Sequence, residues 1–403
     1  MVQQLSADLA IVGAGVVGSA LALAAAINQP TIKIVLVDSD GLQAPVNPSD
    51  AHYDPRVVAL NHRSIEYLKT LGAWSEAMRA RACPYKHMSV WDGEGTAQID
   101  FSAAELHRDC LGVIAENNLV VGALHARLRE LDNLVVVPAS LVGLEPFAQG
   151  SRLALSDGSR LNAKLTVGAD GANSKVRALA GFDSRQWPYA QSAIVTRVKS
   201  ALPHGDTAWQ RFTDSGPLAF LPLAGHDDRY CSIVWSLETD RAREIAALND
   251  PAFCKALGRA FEHKLGEVLG CDKRHELPLR QMHVTHYYKP GVALAGDAAH
   301  TIHPLAGQGV NLGLRDVAVL AEELDRAGRR ALSLSEPATL RRYQRRVQAY
   351  NLSAMAAMEA FSWLFVGRQP RWRILRNMGM TSVDRAPPVK RELMLLAAGD
   401  RFF

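Results

Sequence analysis

The stretch GAGVVG at residues 13–18 decides the fold. It directly follows a short apolar strand predicted over Leu9–Val12 and opens a helix predicted over Val17–Ile27. Glycine allows the backbone to turn tightly and to approach a pyrophosphate, while the helix N-terminus offers free N–H groups and a positive dipole end. A second apolar strand, predicted over Ile32–Val37, completes a strand–helix–strand unit, which predicts a parallel sheet.

Asp38 follows the second strand, 20 residues after Gly18. A carboxylate at this point accepts hydrogen bonds from the 2′-hydroxyl of a ribose. We therefore predict a dinucleotide site formed by Gly13, Gly15, Gly18 and Asp38. The motif does not distinguish FAD from NAD, and a glycine turn without a ligand remains the alternative.

The uncharged stretch between Asp8 and Lys33 is long enough to suggest a membrane span. Its glycines, together with Asn28, Gln29 and Pro30, favour instead a strand, turn and helix, and no positive segment precedes it as in a signal peptide. The five cysteines include no C-x-x-C pair, so neither a disulfide framework nor a zinc site is indicated. A reducing compartment is therefore expected.

A second turn, GADGANSKVR at residues 168–177, follows a strand predicted over Leu165–Val167. The strand delivers Asp170 into the turn, and Ser174 is placed to cap the helix that follows. By itself this sequence indicates an ordinary junction between a strand and a helix.

A third turn, GDAAHTIHPLAGQGVNLG at residues 296–313, follows another short apolar strand. Asp297 at the strand end can accept hydrogen bonds from the hydroxyl groups of a sugar alcohol. Gly307 and Gly309 allow backbone N–H groups to approach a flat ring. The helix predicted over Val310–Ala327 points its positive dipole end at that ring and favours negative charge on it, as in a reduced flavin.

His300 and His303 in the third turn invite a metal-site interpretation. Two histidines three positions apart need a third ligand and a helix that presents them together. Pro304 and the glycines that follow it argue against a regular helix here. We predict no metal, and we expect a structural or pocket-lining role for both histidines.

After residue 183 the sequence changes from alternating strands and helices to a series of strands separated by turns. Four segments rich in β-branched and aromatic residues alternate with turn clusters and predict an antiparallel sheet. These segments are Ala190–Lys199, Thr207–Phe212, Leu218–Leu223 and Tyr230–Leu237. Helices are predicted over Ser64–Arg81 and Asn117–Leu131, over Asp250–Leu269 beside the sheet, and from Ala338 onward.

The three turns, in this order and spacing, resemble the class A flavoprotein aromatic hydroxylases, the group typified by para-hydroxybenzoate hydroxylase. In that family they are the dinucleotide fingerprint, the DG motif and the GD motif. Further segments resemble the branch that hydroxylates ubiquinone precursors, and within it the enzymes acting at C5 of a polyprenylphenol. These segments are Asp54–Leu60, Ala115–Asn117, Ala219–Leu223 and Cys231–Ser236. The resemblance covers essentially the whole chain.

The resemblance implies an α/β fold with a Rossmann-like FAD-binding domain, an antiparallel β-sheet substrate domain and a helical C-terminal region. The expected FAD-binding domain is discontinuous, with residues 1–182 and 276–334. The substrate domain is expected at residues 183–275, and the helical basic region at residues 335–403.

The resemblance also implies roles for individual residues. The glycines of the first turn would hold the FAD pyrophosphate, and Asp38 the adenosine ribose, where the family usually has the longer Glu. Arg56 would lie near the FAD phosphates, and Asp170 would serve FAD and NAD(P)H. Asp297 would contact the ribityl chain, and the Pro304–Asn311 turn would lie against the isoalloxazine ring. No catalytic acid or base is assigned; the pocket candidates are His303, Pro304, Leu221 and Trp235.

The implied activity is that of an FAD-dependent monooxygenase that hydroxylates the ring of a polyprenylphenol in ubiquinone biosynthesis. In the family, NAD(P)H is the co-substrate, and O₂ reacts through a flavin C4a-hydroperoxide. Two alternatives stay open, namely a flavin-dependent reductase of isoprenoid double bonds and a non-catalytic flavoprotein scaffold in a biosynthetic complex.

The net charge of +4 conceals an uneven distribution. Residues 326–403 carry 15 Lys and Arg against 5 Asp and Glu, whereas residues 1–325 carry 30 against 36. Arginines at 341, 342, 345 and 346 precede the apolar stretch Met355–Phe365, and four more arginines follow at 368, 371, 373 and 376. This pattern favours a membrane surface or a protein complex as partner.

The alternative is that Met355–Phe365 is the buried face of a helix packed on the FAD-binding domain. Nucleic acid is not expected as a partner, because no nucleic-acid-binding fold accompanies the charge. We expect a cytoplasmic protein, peripheral at the inner membrane if the tail binds lipid, and an oligomer is left open.

Overall fold

The computed structural model describes residues 4–44, 53–93, 95, 97–225, 227–302, 309–366, 379, 382, 384 and 386–400 of the 403-residue chain. The helices in these ranges are α1 Val16–Asn28, α2 His62–Thr70, α3 Glu76–Arg81, α4 Asn117–Leu128, α5 Lys175–Leu179, α6 Thr239–Ala246, α7 Asp250–Ala260, α8 Gly309–Arg329, α9 Pro337–Val366 and α10 Pro387–Ala397. Short 3₁₀ turns lie at Ala103–Leu106 and Gly296–Ala298.

The strands form three sheets. They are β1 Gln4–Val12, β2 Ile34–Val37, β3 Val57–Asn61, β4 Cys83–Tyr85, β5 His87–Asp92, β6 Gln98–Ser102, β7 Gly112–Glu116, β8 Leu134–Val137, β9 Leu141–Phe147, β10 Gly150–Leu155, β11 Arg160–Gly168, β12 Ser184–Ser200, β13 Thr207–Thr213, β14 Gly216–Pro222, β15 Tyr230–Glu238, β16 Val268–Cys271, β17 His275–Val284, β18 Tyr288–Lys289, β19 Val292–Leu294 and β20 His300–Thr301.

The first sheet has a parallel centre in the order β19-β11-β1-β2-β8. Strand β2, Ile34–Val37, is buried along its whole length, as expected of a strand covered on both faces. Helices α1 and α8 pack against each other beside it. The predicted strand, turn and helix at the N-terminus are confirmed, and so is the parallel sheet.

The second sheet is mainly antiparallel, in the order β20-β17-β12-β15-β14-β13-β5-β6, with β16 paired to β12. The four segments predicted to form it all lie in it, as β12 to β15. The sheet also takes β5 and β6 from before residue 183, and β17 and β20 from after residue 275. The domain limits at residues 183 and 275 stay a prediction, while the predicted fold class is confirmed.

The antiparallel sheet has two apolar faces. Phe220 and Trp235 point to the back, where they pack with Phe253 of α7. Ala219 and Leu221 point to the opposite side, called here the front face, where they pack with the third sheet, β3-β7-β4. The front face is therefore covered by β3, β4 and β7, which lie between β2 and β8 in the sequence.

Two predicted helices are shorter than expected. The helix predicted over Ser64–Arg81 is interrupted at Gly72, whose φ of +68° continues no helix, and Ser75 caps the new helix α3. The helix predicted over Asp250–Leu269 ends at Ala260, because Glu262 and His263 adopt positive φ values. The end of that prediction was wrong, since residues 268–271 form strand β16 instead.

Helix α9 connects the two large sheets. The hydroxyl of Tyr343 donates to the carbonyl of Leu294 in β19 at 2.8 Å. Met355 is buried against Ile302 and Leu312, and Met358 packs on an apolar cluster of the antiparallel sheet. This part of the apolar stretch therefore packs on the protein, as in the alternative to a lipid contact.

Asp316 of α8 is completely buried and joins three segments. Its carboxylate accepts hydrogen bonds from the N–H of Gly296 at 3.0 Å, from Nε2 of His300 at 2.5 Å and from Nδ2 of Asn351 at 2.9 Å. Burial alone would lower the pKa of His300, but the Asp316 carboxylate outweighs it and raises that pKa above its usual value. The third turn is thus held to α8 and α9 by one acidic side chain.

Replacing Asp316 by Asn should lower the free energy of unfolding by roughly 3–5 kcal/mol, because the buried imidazolium loses its partner. The loss should be largest at about pH 6 and smaller at about pH 9. A pKa raised in the folded state gives stability that is present below about 6.5 and is lost as pH rises through the folded value. Urea unfolding at both pH values measures it.

The matched control is Asp325→Asn on the same helix, whose carboxylate pairs with the exposed Arg329. A surface pair of this kind contributes at most about 1 kcal/mol. Equal losses for the two variants, or a loss for Asp316→Asn that does not vary with pH, would contradict the importance of the buried pair.

Candidate functional site

The register of the parallel strands brings the three predicted turns together. Val37 pairs with Val12, Val12 with Gly168, and Gly168 with Leu294, so four strands end side by side. Each turn begins at or just after one of these residues. Because the carboxyl ends of parallel strands share one edge of the sheet, Asp38 and the three turns line the same edge, where ligands bind in open α/β sheets.

Glycine is required in the first turn by close backbone contacts. Gly13 has a φ of +104°, and a Cβ there would lie 2.4 Å from the carbonyl oxygen of Ala169 in the second turn. A Cβ on Gly18 would lie 1.8 Å from the carbonyl oxygen of Gly13. The backbones of the first and second turns therefore touch, which no larger residue at these positions allows.

Gly15 differs from its neighbours, because a Cβ there would meet no atom within 4 Å. Gly15 is the N-cap of α1, and no side chain caps this helix and no acidic residue lies in its first turn. Within the described residues, the Gly15 N–H also makes no hydrogen bond. An open helix N-terminus beside an open space fits the pyrophosphate of a dinucleotide.

Asp38 already has protein partners. Its Oδ2 accepts the N–H of Ala14 at 2.7 Å, and its Oδ1 accepts the N–H of Asp40 at 2.9 Å. A carboxylate offers about four acceptor positions, so a ribose hydroxyl can still bind. The carboxylate thus fixes the first turn, and its contact with ribose stays a prediction.

Asp170 caps helix α5. Its carboxylate accepts from the hydroxyl of Ser174 at 2.6 Å and from the N–H groups of Lys175 and Val176 at 2.7 and 3.2 Å. The predicted cap by Ser174 is confirmed, since its Oγ accepts the N–H of Arg177. Arg177 in turn donates to the carbonyl of Ala298, which ties the second turn to the third.

Asp297 lies in the 3₁₀ turn that follows β19, and its side chain is exposed. Surrounding protein nevertheless displaces bulk water and raises the pKa of its carboxyl. A Cβ on Gly309, at the start of α8, would lie 3.7 Å from Oδ1 of Asp297. An accessible carboxyl in such a recess, beside a helix N-terminus, suits a polyhydroxyl chain such as the ribityl group.

Asn311 and Arg56 each have protein partners in the structure. The Asn311 amide accepts the N–H of Asn61 at 3.0 Å and donates to the carbonyl of Ala59 at 2.8 Å, so it joins α8 to β3. Arg56 is exposed and pairs with Asp54 at 3.5 Å. These contacts do not test a role toward FAD, so both roles stay predictions.

The pocket candidates are not brought together. Leu221 faces the front of the antiparallel sheet, whereas Trp235 faces the back and lies 6.4 Å from Phe253, ring to ring. Side chains alternate along a strand, and Leu221 pairs with Ser232, which places Trp235 on the other face. His303, Pro304 and Gly307 lie outside the described residues.

The structure adds a buried ion pair that sequence reasoning missed. Arg81 and Glu116 are both buried, and Nε of Arg81 donates to Glu116 at 2.5 Å. Glu116 also accepts the N–H of Asp54 at 2.6 Å, so it holds the segment that contains Arg56. A charged pair 35 residues apart gives no local signal, because its members become partners only when β4, which follows Arg81, pairs with β7, which ends at Glu116.

In the part of the chain that the structure describes, no group of three or more His, Cys, Asp or Glu side chains could hold a metal ion. No helix among the same residues is both long and apolar enough to cross a membrane.

Comparison with known proteins agrees with the site. The FAD binding domain family matches residues 6–346. The 3-demethoxyubiquinol 3-hydroxylase of Escherichia coli (strain K12) is 38% identical over 97% of this chain and 98% of its own. The ubiquinone hydroxylase UbiL of Rhodospirillum rubrum is 35% identical over 98% and 90%. The ubiquinone biosynthesis monooxygenase COQ6 of Xenopus tropicalis is 33% identical over 97% and 93%.

A solved structure shows the same fold. The p-nitrophenol 4-monooxygenase PnpA of Pseudomonas putida DLL-E4 superposes with a TM-score of 0.79 over 99% of both chains, at 20% identity. The family match and the relatives above 30% identity each span most of the chain. The chain therefore belongs to the FAD-dependent monooxygenases of the FAD binding domain family, in the group that contains the hydroxylases of ubiquinone biosynthesis.

Proposed function

We propose that this enzyme hydroxylates the aromatic ring of a polyprenylated phenol, an intermediate of ubiquinone biosynthesis, using NAD(P)H and O₂. The observation that carries the proposal is the convergence of the three turns on one sheet edge, in a chain 38% identical over nearly its full length to a demethoxyubiquinol hydroxylase. FAD, when bound and reduced, supplies the oxygen activation.

The chain's own residues bind and orient the reactants in this proposal. The open N-terminus of α1 holds the pyrophosphate, and Asp297 accepts hydrogen bonds from the ribityl hydroxyls. The front face of the antiparallel sheet, with Ala219 and Leu221, supplies an apolar wall that suits an aromatic ring with a prenyl chain and excludes water.

The ring position is the finer part of the proposal. The resemblance of the quoted segments favours C5 of a polyprenylphenol, whereas the name of the Escherichia coli relative points to another ring position, on demethoxyubiquinol. We favour C5, and we treat the demethoxyubiquinol reaction as the second candidate because that relative matches the full chain.

Incubation with NAD(P)H, isotopically labelled O₂ and a 2-polyprenylphenol should give a product with one labelled hydroxyl at C5, detected by mass spectrometry and NMR. Demethoxyubiquinol serves as the competing substrate, and faster turnover of it would transfer the assignment to the second ring position. A product with a saturated prenyl chain would support a reductase instead. Absence of turnover on either substrate by the flavin-loaded protein would leave the scaffold role.

Gly15→Ala should raise the dissociation constant for FAD about tenfold or more, because its Cβ enters the space assigned to the pyrophosphate without touching the protein. The melting temperature of the apoprotein should not change. Flavin fluorescence quenching and thermal unfolding measure the two quantities.

Gly270→Ala in β16 is the matched control, since its Cβ also meets no atom within 4 Å but lies in the antiparallel sheet. This variant should bind FAD like the unmodified protein. Unchanged FAD affinity in Gly15→Ala would show that the pyrophosphate lies elsewhere.

We also propose that the basic C-terminal region contacts an anionic membrane surface or a protein of the biosynthetic complex. Arg342 and Arg346 are paired with Glu323 at 2.8 and 3.0 Å, so they contribute little to an external field. Arg341 and Arg345 are exposed on α9 and are free to act on a partner.

The double variant Arg341→Ala/Arg345→Ala should weaken binding to anionic liposomes by up to about 30-fold at low salt, measured by sedimentation, because each arginine near anionic lipid contributes about 1 kcal/mol. Arg160→Ala/Arg185→Ala removes the same charge from exposed positions in β11 and β12 and should have no effect. Equal binding of all variants to neutral and anionic liposomes would contradict lipid contact through α9.

A further inference from the structure

Both the N–H and the carbonyl oxygen of Ala14 form hydrogen bonds with side chains. The N–H of Ala14 donates to Oδ2 of Asp38 at 2.7 Å. Its carbonyl oxygen accepts from the hydroxyl of Ser19 at 2.9 Å and from Nε2 of His125 at 2.8 Å. His125 belongs to α4 and is 1% exposed, so a distant helix reaches the first turn.

The hydrogen bonds of His125 define its tautomer. Nδ1 accepts the backbone N–H of Gln43 at 2.8 Å, so it carries no proton, and the proton of the neutral ring is on Nε2. Burial lowers the pKa of His125, and the charge of Arg129 acts in the same direction, while Asp38 opposes both. The ring is therefore neutral near physiological pH, and Nε2–H donates to the carbonyl of Ala14.

The orientation of this carbonyl determines that of the next N–H. In a planar trans peptide, the C=O of Ala14 and the N–H of Gly15 point in opposite directions. With the carbonyl directed toward His125, the Gly15 N–H is directed away from it. That N–H makes no hydrogen bond among the described residues and belongs to the uncapped N-cap of α1.

We propose that His125 is a positioning residue for the dinucleotide: its Nε2–H holds the Ala14–Gly15 peptide plane so that the Gly15 N–H is presented to a pyrophosphate. This proposal rests on the proposed placement of FAD at the first turn. His125 acts through the backbone and does not touch the reacting atoms. Its Nδ1 has a separate task, which is to anchor the segment that follows β2.

Two conservative variants separate the two nitrogen atoms. The side-chain amide nitrogen of His125→Gln can take the place of Nε2 and keep the bond to Ala14, but it lacks the acceptor for Gln43. The side-chain oxygen of His125→Asn can take the place of Nδ1 and keep the bond to Gln43, but it lacks the donor to Ala14. His125→Gln loses the bond to Gln43, whereas His125→Asn loses the bond to Ala14 and the contact of Nε2 with the Ser19 hydroxyl at 3.1 Å, so the stability of each apoprotein is measured beside its FAD affinity.

The dissociation constant for FAD should distinguish them. We expect His125→Gln to remain within about threefold of the unmodified protein and His125→Asn to bind roughly tenfold more weakly. Flavin fluorescence quenching gives the constants, and melting temperatures of the apoproteins give the stability. Equal weakening in both variants, or weakening that follows apoprotein stability, would overturn the proposal.

A second measurement applies if His125→Asn does not fold. NMR of the protein with ¹⁵N-labelled histidine reports the protonation of each ring nitrogen, and the signal of His125 is identified by its absence in His125→Gln. That signal should show an unprotonated Nδ1 and a protonated Nε2. The reverse tautomer would overturn the proposal. Failure of the underlying FAD placement is recognised separately, because Gly15→Ala would then bind FAD normally. If Gly15→Ala weakens binding while the His125 variants do not differ, only the role of His125 is wrong.

Discussion

The in-register pairing of four parallel strands is the constraint on which the site depends. Each strand ends at the same level, so turns that are more than 100 residues apart in sequence lie along one edge. Backbone hydrogen bonds continue the pairing into the turns, with Gly13 bonded to Val37, Ala169 to Val12 and Ala295 to Gly168. A slip of one strand would remove the backbone contacts that require glycine at position 13.

Features that depend on short segments could be predicted from the sequence. Glycine spacing, apolar runs and the position of Asp38 directly after a strand are local features. They were sufficient to predict the parallel sheet and the three turns. The helix end at Gly72 was missed although a glycine after a helix is a local stop signal. The end before Glu262 was missed because Glu262 and His263 are not residue types that usually adopt positive φ values. The recruitment of β5 and β6 into the antiparallel sheet has no local signal at all.

Buried polar partners were the other feature that the sequence did not reveal. Asp316, Glu116 and His125 look like surface residues in a linear reading, yet each is nearly inaccessible and bonds to a backbone N–H or carbonyl of a functional segment. A buried charge is costly unless it is paired, so such residues become interpretable only with their partners in place. They hold segments beside the turns in place, whereas the glycines allow the close backbone contacts within the turns.

The two faces of the antiparallel sheet have a consequence for how the enzyme can vary. In β14, Ala219 and Leu221 belong to the front face, while Leu218 and Phe220 belong to the core beneath α7. In the proposed function, the positions that face the substrate and those that pack beneath α7 thus alternate along the same strand. If the front face contacts the substrate as proposed, substitutions at positions 219 and 221 change that apolar wall while the core on the other face is retained.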